Sequence, residues 1–220
     1  MKESKEFLLG LYREFGDKAQ DALNFINRNS GEKATVSPAN PSTERIADGI
    51  YLIYEDGNYE RFDGQNQRDS VAYVGVVYDG HAFAVALEDL GEWPLVADVD
   101  NCPEESPFYK TECEGLHDWD FITATKHIQE VGTDIPLKEG EYIPTLAVLD
   151  VMCFWKDAIN KAISYAGGTP MPVSYHWSST EYNRNYGRNV GFSNGGTNYN
   201  NKYYSRVVRP VAAFPFTPQE

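Results

Sequence analysis

From His176 to Phe214 the chain runs HWSSTEYNRNYGRNVGFSNGGTNYNNKYYSRVVRPVAAF. Two sets of side chains are interleaved in it. Trp177, Val190, Phe192, Val207, Val208, Pro210, Val211 and Phe214 are apolar or rigid, and most of the others are Tyr, Asn, Gly, Arg, Ser and Thr. Around Phe192 the sets alternate: Val190 and Phe192 fall on one parity, and Asn189, Gly191 and Ser193 on the other. A strand there packs one face and offers the other to solvent. Asn194-Gly195 then supplies a turn. Periodically placed anchors have no use in a disordered tract, so the segment is read as folded. Between Tyr182 and Arg206 lie seven Asn, five Tyr and four Gly. Tyr gives large contact area at little cost in side-chain freedom, and Ser, Gly and Asn give adaptable hydrogen bonding, as in antibody loops. Truncating a central Tyr or Arg of such a patch costs about 2 kcal/mol or more of binding. The expected activity is therefore binding.

Upstream, Thr145 to Ala166 reads as a helix that begins after Pro144, bends once and stops at Gly167-Gly168. A second helix over Thr123 to Val131 ends at Gly132. Residues 88 to 118 are acidic and contain Pro94, Pro103 and Pro107, which predicts a long loop. Before it stand two hairpins. Ile50–Tyr54 returns through Tyr59–Phe62 after Asp56-Gly57, and Val71–Tyr78 returns through His81–Leu87 after Asp79-Gly80, a type I′ turn pair. Closing strands are expected at Tyr175–Thr180, as a pair around Val190 and Phe192, and over Arg206–Phe214. Strands, then helices, then strands describe an α+β fold with antiparallel sheets and two main helices.

At the amino end, Phe7, Leu8, Leu11, Phe15, Ala19, Ala22, Leu23 and Ile26 recur at three- and four-residue steps, so residues 1–29 are expected to hold an amphipathic helix. Gly10 and Gly16 each cost it about 1 kcal/mol, which leaves packing on its own domain or oligomerisation to hold it. Residues 30–47, rich in Ser, Pro, Asn and Gly, read as a linker, and 48–220 as the main domain, with its variable part at about 176–214.

The 220 residues carry nineteen basic and thirty-three acidic side chains, for a formal charge of −14. That balance repels a phosphate backbone, so no nucleic-acid partner is expected. Between residues 182 and 219 there is no Asp or Glu, while Arg184, Arg188, Lys202, Arg206 and Arg209 are basic. No apolar run approaches the roughly 20 residues of a spanning helix, so no membrane insertion is expected, and the opening MKESKEFLLG carries no secretory core. Cys102, Cys113 and Cys153 lack CxxC spacing and give no thiolate metal site; Cys102 and Cys113 are left as a candidate pair. His81, His117, His127 and His176 fall at no HxxxH or HExxH spacing, and no GxGxxG, GxxxxGK[ST] or GxSxG occurs. No catalytic residue, metal or cofactor is expected.

WSSTEY at Trp177–Tyr182, the Asn-rich run after it, NNK at Asn200–Lys202 and RPV at Arg209–Val211 resemble the variable proteins of diversity-generating retroelements, of the type found in Bacteroides-like gut bacteria and their phages. IPTLAVLD at Ile143–Asp150 and the stretch ending in Gly167-Gly168 resemble the segment preceding that region. The resemblance covers roughly residues 71 to 214 and implies a C-type lectin-like fold displaying a diversified ligand-binding face. In such proteins template adenines are replaced, so Asn codons of the form AAY become Tyr, His, Arg, Gly, Ser or Thr, but not Trp, Glu or Lys. The resemblance thus implies ligand contacts at Tyr182, Arg184, Tyr186, Gly187, Arg188, Gly191, Ser193, Thr197, Tyr199, Tyr203, Tyr204 and Arg206. It implies a constant scaffold at Trp177, Glu181, Phe192, Lys202, Arg209 and Pro210. The chain lacks the EPN, QPD and WND calcium-and-sugar motifs of animal C-type lectins and a cysteine pair like that of formylglycine-generating enzymes. The expected partner is a protein or glycan on a cell or phage-host surface, met by a protein on a virion or cell surface, with a homo-oligomer left open. An undiversified assembly module of a phage particle or bacterial surface is the alternative.

Overall fold

The computed structural model describes residues 46–215. The expected amino-terminal helix and all but the end of the linker lie outside the described residues. At the start of the described chain, β1 (Gly49–Tyr54) pairs with β2 (Tyr59–Arg61), and β3 (Val71–Tyr78) with β4 (His81–Ala86), all antiparallel. The second hairpin turns through Asp79 and Gly80 at φ of 46° and 76°. Positive φ at both central residues lets the turn follow the right-handed strand twist.

The segment expected to be a long loop is more ordered than its composition indicates. It carries β5 (Glu92–Trp93), a 3-10 turn (Val99–Asn101) and α1 (Glu112–Gly115), the last closed by a capping box between Thr111 and Glu114. α2 (Phe121–Val131) buries Phe121, Ala124, Thr125 and Ile128 on one stripe and ends at Gly132, φ 112°. The single bent helix expected over 145–166 is two helices, α3 (Leu146–Phe154) and α4 (Lys156–Tyr165), divided at Trp155, whose φ and ψ of −97° and 15° leave the helical region. Six of the nine α3 residues are buried, because the helix is apolar on most of its faces; Asp150, Cys153 and the exposed Phe154 mark its open side. α4 buries only Ile159, Ala162 and Ile163.

The chain then returns to strands: β6 (Tyr175–Glu181), β7 (Tyr186–Gly191), β8 (Gly196–Asn201), β9 (Arg206–Val207) and β10 (Val211–Ala213). The one strand expected over Arg206–Phe214 is therefore split, and its halves belong to different sheets. β10 edges the first sheet, in the order β10-β4-β3-β1-β2, while β9 lies in the second, β5-β9-β6-β7-β8. The strand pairs of both sheets are antiparallel apart from β6 with β9, joined in parallel at His176 and Val207. The described domain is thus α+β with four α-helices and two five-stranded sheets.

The main core joins Leu52, Val74, Val76, Phe83 and Val85 of the first sheet to Leu146, Leu149, Met152, Ile159 and Ile163 of the helices, and to Val190 and Phe192. Each such side chain contributes roughly 1.5–3 kcal/mol by leaving water. A second cluster, with Leu95, Ile128, Ile143, Trp177 and Val208, lies beneath β6 and β9. On the far side of the first sheet Phe214 packs edge-on against Tyr51 and Tyr59, with ring centroids 6.0 and 4.9 Å away.

Candidate functional site

Every side chain of Trp177–Glu181 has a partner, and together they fix the sheet in place. Trp177 Nε1 donates to the Trp93 carbonyl at 2.9 Å, Ser178 Oγ to Arg188 O at 2.8 Å, and Ser179 Oγ to Ile143 O at 3.0 Å. Thr180 Oγ1 accepts the Leu146 N–H at 2.9 Å, capping α3 from another strand, since the N-cap Thr145 makes no such bond itself. Glu181 forms an ion pair with Lys202, and its second oxygen lies 3.0 Å from His127 Nε2. Glu181 and Lys202 are both fully enclosed.

Arg209 is the other anchor. Its guanidinium donates to Ala86 O at 3.0 Å and Thr169 O at 2.7 Å, with Asp89 2.6 Å from Nε. Burial pulls its pKa down and pushes that of Asp89 up; we take the pair as ionised, because two carbonyls and a carboxylate surround the cation. Trp177, Glu181, Phe192, Lys202, Arg209 and Pro210 are all buried.

Above this floor the tyrosines come to the surface. Tyr175, Tyr182, Tyr186, Tyr199, Tyr203 and Tyr204 are between 37% and 55% exposed. The Asn183 side chain accepts the N–H groups of Asn185 and Tyr186, both at 2.9 Å, and so shapes the β6–β7 turn. Tyr182 stacks on Tyr199 with centroids 4.7 Å apart, and Tyr186 meets Tyr199 edge-on at 5.7 Å. Tyr203 and Tyr204 touch edge-on at 4.7 Å, and Arg206 lies 5.7 Å from the rings of both Tyr204 and Tyr175. Asn200 Oδ1 accepts from Arg206 Nε, Arg206 Nη2 and Asn189 Nδ2 at 3.2, 3.0 and 3.1 Å. Rings held by one another lose little freedom when a partner arrives.

Of the residues expected to contact ligand, Tyr182, Tyr186, Ser193, Tyr199, Tyr203 and Tyr204 are exposed, and Arg184, Thr197 and Arg206 partly so. Gly187, Arg188 and Gly191 are buried, which corrects their assignment to an open face. β7 is an interior strand of its sheet, between β6 and β8, and is buried along all but its first residue. A Cβ on Gly187 would stand 2.5 Å from Leu95 Cδ2 and 3.3 Å from Trp177, and one on Gly191 3.1 Å from the Tyr175 ring. Arg188, 4% exposed, donates from Nε to Lys110 O at 3.1 Å and lies under Tyr182 at 5.0 Å. Asn189 is also enclosed, contrary to the expected alternation. Two contributors escaped the sequence reading. Tyr175 lies opposite Gly191 and is exposed although it shares the parity of the enclosed Trp177, so alternation along the strand carried no signal for it. Asp100, Glu104 and Glu112 reach the segment from the acidic stretch: Glu104 and Asp100 meet Arg184, and Thr197 Oγ1 donates to Glu112. The opposed charges of the two segments were their signal.

None of the six exposed tyrosines lines either of two concavities, one of about 680 Å³ beside the β1–β2 hairpin and one of about 400 Å³ between α3 and the Phe192–Gly195 turn. Among the described residues no group of three or more His, Cys, Asp or Glu side chains is placed to hold a metal ion, and no helix is long and apolar enough to cross a membrane. Cys102, Cys113 and Cys153 are free, so the candidate pair is not formed.

No protein-family model matches the chain, and neither does any curated protein. Among solved structures it is similar to a fimbrial protein from Bacteroides ovatus, at 14% identity and a TM-score of 0.46 over 77% of this chain. The match takes in 49% of that protein, about half its length.

Proposed function

We propose that this protein is a ligand-binding protein of C-type lectin-like fold whose face over β6, β7 and β8 is diversified by a retroelement and recognises a protein or glycan on another surface. The observation that carries the reading is the division within one short segment. Six tyrosines lie partly exposed over Trp177, Glu181, Lys202 and Arg209, the residues that adenine replacement in AAY codons cannot produce or that close the motif, and these are enclosed. Changing a side chain on the outside of such a sheet leaves core volume untouched, so the fold tolerates many sequences. The tyrosines lie outside the two concavities, which favours a macromolecular surface over a small molecule. No reacting group is invoked: the ion pair of Glu181 and Lys202 beneath the face is fully enclosed. The protein would work on a virion or cell surface, where its ligand is found.

Replacing Tyr182, Tyr186, Tyr199 and Tyr203 together with Ala tests the face. In a binding screen against surfaces of Bacteroides-type bacteria, the four-fold variant should lose capture while its melting temperature stays close to that of the parent. Binding that survives the change would count against the face, and loss of the folded state against the surface assignment. A reverse-transcriptase gene beside a near-copy of the 3′ end, differing only at template adenines, is the expected neighbourhood; its absence would favour an undiversified assembly module.

A further inference from the structure

The enclosed cluster under the tyrosine face contains a thiol. Cys102 follows the 3-10 turn and is 3% exposed; Lys202, a hundred residues later, follows β8 and is fully enclosed. Lys202 Nζ lies 3.5 Å from Cys102 Sγ. The same ammonium is paired with Glu181, whose other oxygen lies 3.0 Å from His127 Nε2, and it faces the Tyr109 ring at 5.2 Å. Cys113 and Cys153 are both free, so Cys102 has no disulfide partner. An amine and a thiol are thus held together, with a carboxylate in place to take the amine's proton.

We propose that Cys102 and Lys202 become joined through a single oxygen atom, Nζ–O–Sγ, when the protein meets dioxygen. Glu181 takes one proton from the ammonium and leaves a neutral amine. One N–H bond, the S–H bond and both bonds of dioxygen break; the N–O and S–O bonds and two O–H bonds of one water form. Nitrogen and sulfur each lose two electrons and dioxygen takes all four; the displaced proton is shared between Glu181 and His127. Dioxygen is small and apolar, so enclosure does not bar it. The bridge stands apart from the sulfenic and sulfinic products of exposed thiols. It ties the turn after β8 to the loop below it.

The test uses the full chain, purified under argon with dithiothreitol and divided into three: kept so, exposed to air, and exposed to air then returned to dithiothreitol. The air sample should gain about 14 Da, one oxygen less two hydrogens, in a peptide joining Cys102 to Lys202; the gain should vanish on reduction. A Cys113→Ser, Cys153→Ser double variant should retain it, and Cys102→Ser should lose it. An unaltered Cys102 thiol in air would overturn the proposal, as would a gain of about 16 or 32 Da on Cys102 with no link to Lys202. Peptide mapping of the parent protein decides between these outcomes even where Cys102→Ser does not fold.

Discussion

Glu181 and Lys202 neutralise each other out of reach of water. Glu181→Gln would leave the ammonium enclosed without its carboxylate, so we expect a loss of about 3 kcal/mol or more by urea denaturation. Tyr199→Ala, on the exposed side of the same sheet, should stay within about 0.5 kcal/mol of the parent. His176 gives a pH dependence. It is enclosed, it stacks on Phe192 at 4.0 Å, and its Nδ1 donates to Ser174 O at 3.1 Å. Loss of water around the ring pulls its pKa down to about 4 from the ordinary 6.5. Above pH 6.5 the ring is neutral in both folded and unfolded chains. Between about 6.5 and 4 only the unfolded chain takes the proton, so stability falls with pH by roughly 3 kcal/mol in all, and below 4 this group adds no further loss. His176→Phe should flatten that part of the profile, read as the difference between parent and variant in urea midpoints at pH 4.5 and 7.5. Trp177, Glu181 and Lys202, set apart in the sequence only by the family resemblance, are all enclosed. The burial of Arg188 was not legible, because its cover comes from Lys110 and Glu112, far away in the chain.

Strands and helices were legible where local chemistry sets them. Asp79-Gly80 marks its hairpin because its backbone angles suit few other residues. Asp79→Val should cost about 1–2 kcal/mol, since a branched side chain is crowded at φ 46°. β8, Gly196–Asn201, has no apolar residue in alternation and was legible only as the far side of a turn; its register comes from β7, with Val190 opposite Thr197 and Arg188 opposite Tyr199. The division between α3 and α4 was legible only as a bend, because the apolar periodicity runs on through Trp155. β7 itself carries a prediction. Gly187→Ala places a methyl group against Leu95 and Trp177, both fully enclosed. It should destabilise the protein by about 1 kcal/mol or more in a denaturant titration. Gly187 should then be constant among relatives.

The α+β class was legible from the order of strands and helices, but the exchange of the last strands between sheets was not, since Arg206–Phe214 reads as one extended run. Arg209 stands at that exchange and holds Ala86, Asp89 and Thr169 together. Arg209→Met should therefore cost about 3 kcal/mol or more, with far-ultraviolet and aromatic circular dichroism falling in one transition rather than two. β10 has a further consequence for how the protein is made. It covers the edge of β4, pairing Val211 with Val85, and Val211 also exchanges backbone bonds with Tyr142. On the ribosome, β4 is synthesised well over a hundred residues before its outer neighbour. Throughout that interval the growing chain presents a bare apolar ribbon to the cytosol, so its safe passage depends on chaperone cover or rapid elongation, and an early stop before Pro210 would yield an aggregate rather than a shortened folded domain.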